Sequence, residues 1–311
     1  MSLEILGLIL LGSLFIVILI GFPISFTLIF LALGFGYIGI GDRVFHLITY
    51  QYFETMTEPV LGAVALFTFM GLVLEGAGLM DRLFRGLQLV AGHMKGSLYL
   101  ATIVTATLFA AATGIVGASV PILGLMAGPS MKRSKYNESL CAGTITAGGT
   151  LGILIPPSIM LVVMGPIMEV SVARLYAAAV LPGLLLAAHY AVYCLIRVQT
   201  NPSLGPPLSD IELDVPLRYK LREVFIGLVP VASLILATLG SILSGFATPT
   251  EGAALGCLGA VLVAFAHRKL NFSILKDAIY RTVVTTSMVM ILLAAYTTVG
   301  AVFSVFGTPK L

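Results

Sequence analysis

"AGGTLGILIPPSIMLV", residues 147–162, breaks what otherwise reads as one long apolar helix. Gly148, Gly149 and Gly152 let the backbone unwind, while Pro156 and Pro157 each lack an amide donor and leave upstream carbonyls without helical partners. In lipid an unsatisfied backbone group costs several kcal/mol, so irregular backbone at membrane depth must be buried in protein or line a cavity. The meaning of the stretch therefore depends on the solvent around it.

That solvent is lipid. The 311-residue chain is 59% hydrophobic and only 10% charged, and its mean hydropathy is +1.07, outside the range of soluble domains. Uncharged runs of 18 to 30 residues follow one another, whereas a closed barrel would show alternating strands of about 10 residues. The expected fold is all-α, a polytopic integral membrane protein. Spans are expected at 3–20, 22–41, 58–79, 98–127, 139–168, 172–197, 223–244, 249–266 and 282–306. The first begins at Leu3 without a basic leader, so it reads as a retained span.

Scattered Cys141, Cys194 and Cys257 lack metal or disulfide spacing and read as small buried residues. His46, His93, His189 and His267 are equally dispersed, and a net charge of +3 spread over loops gives no footprint for nucleic acid. An intramembrane hydrolase would need a Ser/His, paired Asp or HExxH arrangement, and none occurs in the sequence.

The segment 98–127, "LYLATIVTATLFAAATGIVGASVPILGLMA", is 30 residues long, about 45 Å as a helix against a hydrocarbon core of about 30 Å. It is too long for one upright span and too short for two. Its centre, Thr113 to Ser119, collects turn-permissive residues and is followed by Pro121, which suggests a re-entrant helical hairpin. Charge supports this. Arg82, Arg85 and Lys95 precede the segment and Lys132, Arg133 and Lys135 follow it. A hairpin divides the Lys and Arg residues 14 to 3 between the two sides, against 12 to 5 for a single span. The positive-inside rule favours the hairpin and places the richer side in the cytoplasm.

On this topology, three spans in 1–79 with a "GFPISF" break correspond to three oppositely directed spans in 223–311 with a "GFATPTEGAA" break. That is the pattern of an inverted repeat. Residues 80–197 would form a first transport unit, with 80–97 as an arm or plain connector, and residues 198–222 a Pro-rich cytoplasmic connector. If the symmetry is complete, roughly 115 further residues are expected after Leu311.

Neither 98–127 nor 139–168 contains Lys, Arg, Asp, Glu or His. Hydroxyls and freed carbonyls are hard oxygen ligands suited to Na⁺, and half-helix N-termini suit an anion. The alternative is that Gly and Pro merely kink packed helices. Thr248 to Glu251, "TPTE", reads as a helix cap, and Glu75 as snorkelling or paired with a nearby arginine in preference to a proton relay.

"GIVGASV", "GLMAGPSMKRSKYNESLCAGTITAGGTLGILIPPSIMLVVMG" and "ATPTEGAALGCLGA" resemble the large membrane subunit of tripartite ATP-independent periplasmic (TRAP) transporters, the DctM-type permease. The "TGIVGAS" tip resembles the branch labelled mannitol or chloroaromatic more than the GSS form. The resemblance implies an elevator-type secondary transporter of the bacterial inner membrane, with Na⁺ as coupling ion and no enzymatic activity. It implies a small organic anion as substrate, a periplasmic substrate-binding protein and a small four-helix membrane subunit as partners. It also implies a Na⁺ and substrate site at Thr113, Gly114, Gly117, Ala118 and Ser119 of the hairpin and Gly148, Gly149, Thr150, Pro156, Pro157 and Ser158 of the broken helix. The family continues through a second hairpin and a second broken helix. The chain is therefore expected to be C-terminally truncated relative to it; the alternative function is a non-transporting membrane scaffold.

Overall fold

The computed structural model describes residues 2–114, 116–208 and 214–308. It is helical throughout, with no strand among the described residues. Among the described residues, six helices are long and apolar enough to cross a membrane. The chain divides into two compact units, Met1–Pro59 with Val283–Leu311, and Val60–Thr282.

In the first unit, α1 (Leu3–Ile20) and α2 (Ile24–Ile40) are joined by a tight turn in which Gly21 takes φ +97°. α3 (Arg43–Met56) follows. The core gathers Leu6, Leu10, Leu28, Ala32 and Val44 with Ala295, Val299, Val302 and Phe306 from α13 (Phe272–Phe306). Thr55 and Thr297 hydroxyls meet at 3.1 Å. Phe15, Ile16 and Leu19 of α1 point outward, as lipid-facing residues of a span do.

α3 fills residues between the expected spans 22–41 and 58–79, to which the sequence reading assigns no element. Its Val44 and Thr55 are buried while Phe45, Tyr50, Tyr52 and Phe53 are exposed. An amphipathic helix of this kind has too little net hydropathy to register as a span. α13 also begins at Phe272, before the expected 282, because backbone hydrogen bonding continues past the apolar run through Lys276, Asp277 and Arg281.

The second unit contains α4 (Gly62–Gly76), α5 (Leu79–Ala91), α6 (Ser97–Thr113), α7 (Val116–Arg133), α8 (Glu138–Thr150), α9 (Ile159–Ile167), α10 (Val172–Thr200), α11 (Leu217–Leu243) and α12 (Pro249–Ala266). α5 packs most extensively on α11, and α4 on α12. Lipid supplies no hydrophobic drive for such pairing, so close backbone approach matters. At the α5–α11 crossing a Cβ on Gly86 would lie 2.7 Å from the Val224 amide nitrogen, and one on Gly227 would lie 2.6 Å from that of Leu83. Residues 80–97, expected as an arm or a plain connector, are thus largely helix α5, packed on α11 through its apolar side.

Three local expectations hold. Glu75 pairs with Arg281 at 2.8 Å. Thr248 and Glu251 form a reciprocal capping box, with the Thr248 amide donating to Glu251 Oε2 at 2.8 Å. The turn before α12 repeats that before α2: Gly245 takes φ +78°, an exposed Phe246 follows, and a proline stands near the next helix start.

The connector is more ordered than its composition suggests. After α10, residues 202–208 are fastened to the second unit: the Gly96 amide donates to Gly205 O at 2.9 Å, Leu208 N to Gly92 O at 3.0 Å, and Tyr99 Oη to Leu204 O at 2.7 Å. Tyr136 packs edge-on to Tyr99, and burial pushes its phenol above the usual tyrosine range. Residues 209–213 of the connector and Lys310 of the charge count lie outside the described residues.

Candidate functional site

The hairpin forms around Gly114. α6 ends at Thr113, Gly114 takes the left-handed conformation (φ +61°) that a Cβ disfavours, and α7 begins at Val116. The Gly114 amide closes the end of α6 on the Ala110 carbonyl at 2.9 Å. Gly117 and Ala118 belong to the first turn of α7; their side-chain surroundings lie outside the described residues. Ser119 follows and is buried.

The second irregularity is the stretch that opened the sequence reading. α8 runs to Thr150, one 3₁₀ turn covers Leu151–Ile153, and the chain is non-helical until α9 starts at Ile159, with a cis bond between Pro156 and Pro157. Gly148 and Gly149 lie in the last turn of α8, both buried, and Gly149 packs against Val120 of α7. The Ile153 carbonyl that the break releases is taken by Ser158 Oγ, which donates to it at 2.6 Å.

These two irregular segments touch. A Cβ on Gly114 would stand 2.9 Å from the Pro157 carbonyl oxygen, 3.1 Å from the Ile159 amide nitrogen and 3.3 Å from Ser158 Cα. The sequence-predicted residues Gly114, Pro157 and Ser158 are therefore neighbours. Thr113 and Ser158 are buried; their hydroxyls donate to Phe109 O at 2.9 Å and Ile153 O at 2.6 Å. A hydroxyl that spends its proton on its own chain retains oxygen lone pairs, so neither is disqualified as a cation ligand. The Thr150 hydroxyl likewise donates within its own chain, to Ala147 O at 2.7 Å.

Neighbouring helices complete the enclosure with residues that sequence reasoning missed. Gly71 of α4 lies under Thr113, where an added Cβ would come within 2.6 Å of Thr113 Cα. Tyr176 of α10 is fully buried, donates to Ser158 O at 3.4 Å and meets Phe67 edge-on at 6.5 Å. Gly183 of α10 lies against Ile155 of the break, 2.9 Å from Ile155 Cγ1 for an added Cβ. A mid-span glycine such as Gly71 signals close helix approach, but nothing in the sequence indicates which helix approaches. Tyr176 carries no such signal, because a tyrosine near a span end is ordinary.

The site is thus an uncharged, enclosed meeting of two backbone irregularities, furnished with hydroxyl and carbonyl oxygens. Among the described residues it holds no Lys, Arg, Asp, Glu or His.

Comparison with known proteins agrees with the architecture. The family model described as "Tripartite ATP-independent periplasmic transporter, DctM component" matches residues 11–311. A C4-dicarboxylate TRAP transporter large permease protein of Pseudomonas aeruginosa is 35% identical over 245 residues, which is 78% of this chain and 55% of the relative. A sialic acid TRAP transporter large permease protein of Vibrio cholerae is 30% identical over 284 residues, 90% of this chain and 64% of the relative. An ectoine TRAP transporter large permease protein of Halomonas elongata is 29% identical over 287 residues, 89% of this chain and 64% of the relative. The chain therefore spans between about half and two thirds of the length of these relatives.

Proposed function

The chain belongs to the DctM component family of tripartite ATP-independent periplasmic transporters, and from that premise we propose that it works within a large permease subunit that couples Na⁺ entry to uptake of a small organic anion. The family is one of transport proteins, not enzymes, and its permeases reside in the bacterial inner membrane, where six apolar helices place this chain.

The contact of the hairpin tip with the broken helix carries the reading. Thr113, Gly114, Ser119, Pro157 and Ser158 surround the coupling ion in the proposal, with Gly117, Ala118, Gly148, Gly149, Thr150 and Pro156 shaping the backbone around it. Burying an uncompensated anion in an uncharged site costs several kcal/mol. A bound Na⁺ offsets that cost, and the α9 N-terminus adds a partial positive charge. Ion occupancy thereby sets anion affinity, which is the thermodynamic content of symport.

In this proposal residues 80–197 form the moving body of an elevator, and 1–79 and 223–311 contribute to its scaffold, with a periplasmic binding protein and a small four-helix membrane subunit as partners. The relatives are named for C4-dicarboxylate, sialic acid and ectoine. These solutes share a carboxylate, which supports a carboxylate as the substrate class.

The test is uptake into proteoliposomes with an imposed Na⁺ gradient, the cognate binding protein and a labelled organic acid, run with this chain and with a version completed to the relatives' length. Uptake by the completed version that collapses when Na⁺ is replaced by choline supports the proposal. Uptake indifferent to Na⁺ contradicts the coupling, and no uptake by either version favours the scaffold role.

A further inference from the structure

A cavity of about 440 Å³ lies between α8 and α10 at the end of the second unit where the connector is fastened, and includes Leu204 in its wall. None of the proposed sodium-site residues lines it except through their shared helix α8. Its size is that of a small-ligand pocket.

The lining is divided by polarity. Asn137, Ser139 and Arg197 form the polar end, and Asn137 caps α8 by accepting from the Leu140 amide at 3.0 Å. Among the described residues no carboxylate lies within ion-pairing distance of Arg197, and Glu138, although adjacent in sequence, is not part of the wall. Gly143, Thr144, Ala147 and Cys194 continue the wall, with the Thr144 hydroxyl 3.4 Å from Cys194 Sγ. Tyr193 and Tyr190 complete it along α10, Tyr190 one turn beyond Cys194 from Arg197.

The position along α10 is informative. Arg174 and Arg197 mark its two ends, about 35 Å apart at 1.5 Å per residue, so each lies at an interface of a hydrocarbon core about 30 Å thick. On the charge topology, Arg197 is at the cytoplasmic headgroup level, and tyrosines just inside it occupy the aromatic belt. The cavity opens beside an outward-facing apolar stripe: Val192, Tyr193 and Ile196 are each more than half exposed. In a spanning helix that stripe faces acyl chains.

From this arrangement we infer that the α8–α10 cavity is a binding site for the headgroup of one anionic phospholipid of the cytoplasmic leaflet. Its phosphate pairs with Arg197 beside the α8 N-terminus, its glycerol lies against Tyr190 and Tyr193, and its acyl chains continue along the α10 stripe. Charge complementarity selects an anionic lipid, and continuity with the lipid-facing surface selects a lipid over a soluble phosphate.

The test measures binding of a fluorescent phosphatidylglycerol by the purified full chain in phosphatidylcholine nanodiscs. Arg197→Gln is expected to weaken binding at least fivefold. Gly143→Leu is the structural control, because a Cβ at Gly143 has no neighbour within 4 Å; its side chain occupies cavity space, and it is expected to lower binding similarly at an unchanged unfolding temperature. Binding insensitive to both variants overturns the inference. So does binding of labelled phosphatidylcholine as tight as that of phosphatidylglycerol. Competition by millimolar glycerol 3-phosphate would reassign the cavity to a soluble phosphate.

Discussion

Replacing Gly114 by alanine isolates the contact on which the sodium site rests. The substitution adds one methyl group in a conformation, φ +61°, that costs a non-glycine residue about 1–2 kcal/mol. The same methyl would stand 2.9 Å from the Pro157 carbonyl oxygen, and overpacking of this kind costs about 1–3 kcal/mol. The sum is roughly 2–5 kcal/mol; its contact part is relieved if the tip moves away from the break, so that part falls most heavily on the state in which an ion holds the two together. Sodium affinity is then expected to fall at least tenfold, since about 1.4 kcal/mol is one decade. Thermal unfolding of the purified chain in NaCl against choline chloride reads this directly. At a sodium concentration a hundredfold above the wild-type Kd the ion stabilises by about 2.7 kcal/mol, and a tenfold weaker site retains about half of that. Gly128→Ala, at an α7 position with open space around it, is expected to leave the sodium increment unchanged. A Gly114→Ala protein with the full wild-type increment would refute the argument.

Other changes separate scaffold from site. Glu75→Gln removes a partly buried partner of Arg281 and is expected to cost about 1–2 kcal/mol, between exposed and buried pairs, with the sodium increment intact in the same unfolding assay. Thr248→Ala removes the α12 cap and should cost about 1 kcal/mol by the same measure. Tyr176→Phe deletes a long hydrogen bond to Ser158 O and keeps the packing; a loss under about 1 kcal/mol is expected, whereas Tyr176→Ala should cost about 3–5 kcal/mol through the cavity it leaves.

The irregular segments were legible in the sequence because their chemistry is local. Glycine at 114 and the proline pair at 156 and 157 permit or forbid particular backbone states whatever surrounds them, and the Thr248 to Glu251 cap closes within four residues. Length against bilayer thickness then turned 98–127 into a hairpin. What escaped was long-range or amphipathic. α3 is short and sets Arg43, His46, Gln51 and Glu54 among its apolar residues, so a span-length average hides it. Gly71, Tyr176 and Gly183 reach the site from separate helices, and one sequence holds no record of which helices adjoin. The fastening of residues 202–208 was hidden for a related reason: it consists mostly of backbone hydrogen bonds, to which a Pro-rich composition gives no clue.

The central claim is that hydroxyl and backbone oxygens where the hairpin tip meets the broken helix bind Na⁺. Calorimetric titration of Na⁺ into the purified chain, compared with Ser158→Ala, tests it most directly. The account predicts a saturable isotherm in the wild type, weakened at least tenfold in Ser158→Ala and preserved in Glu75→Gln. An isotherm identical in wild type and Ser158→Ala, or no saturable binding by the wild type, would contradict it.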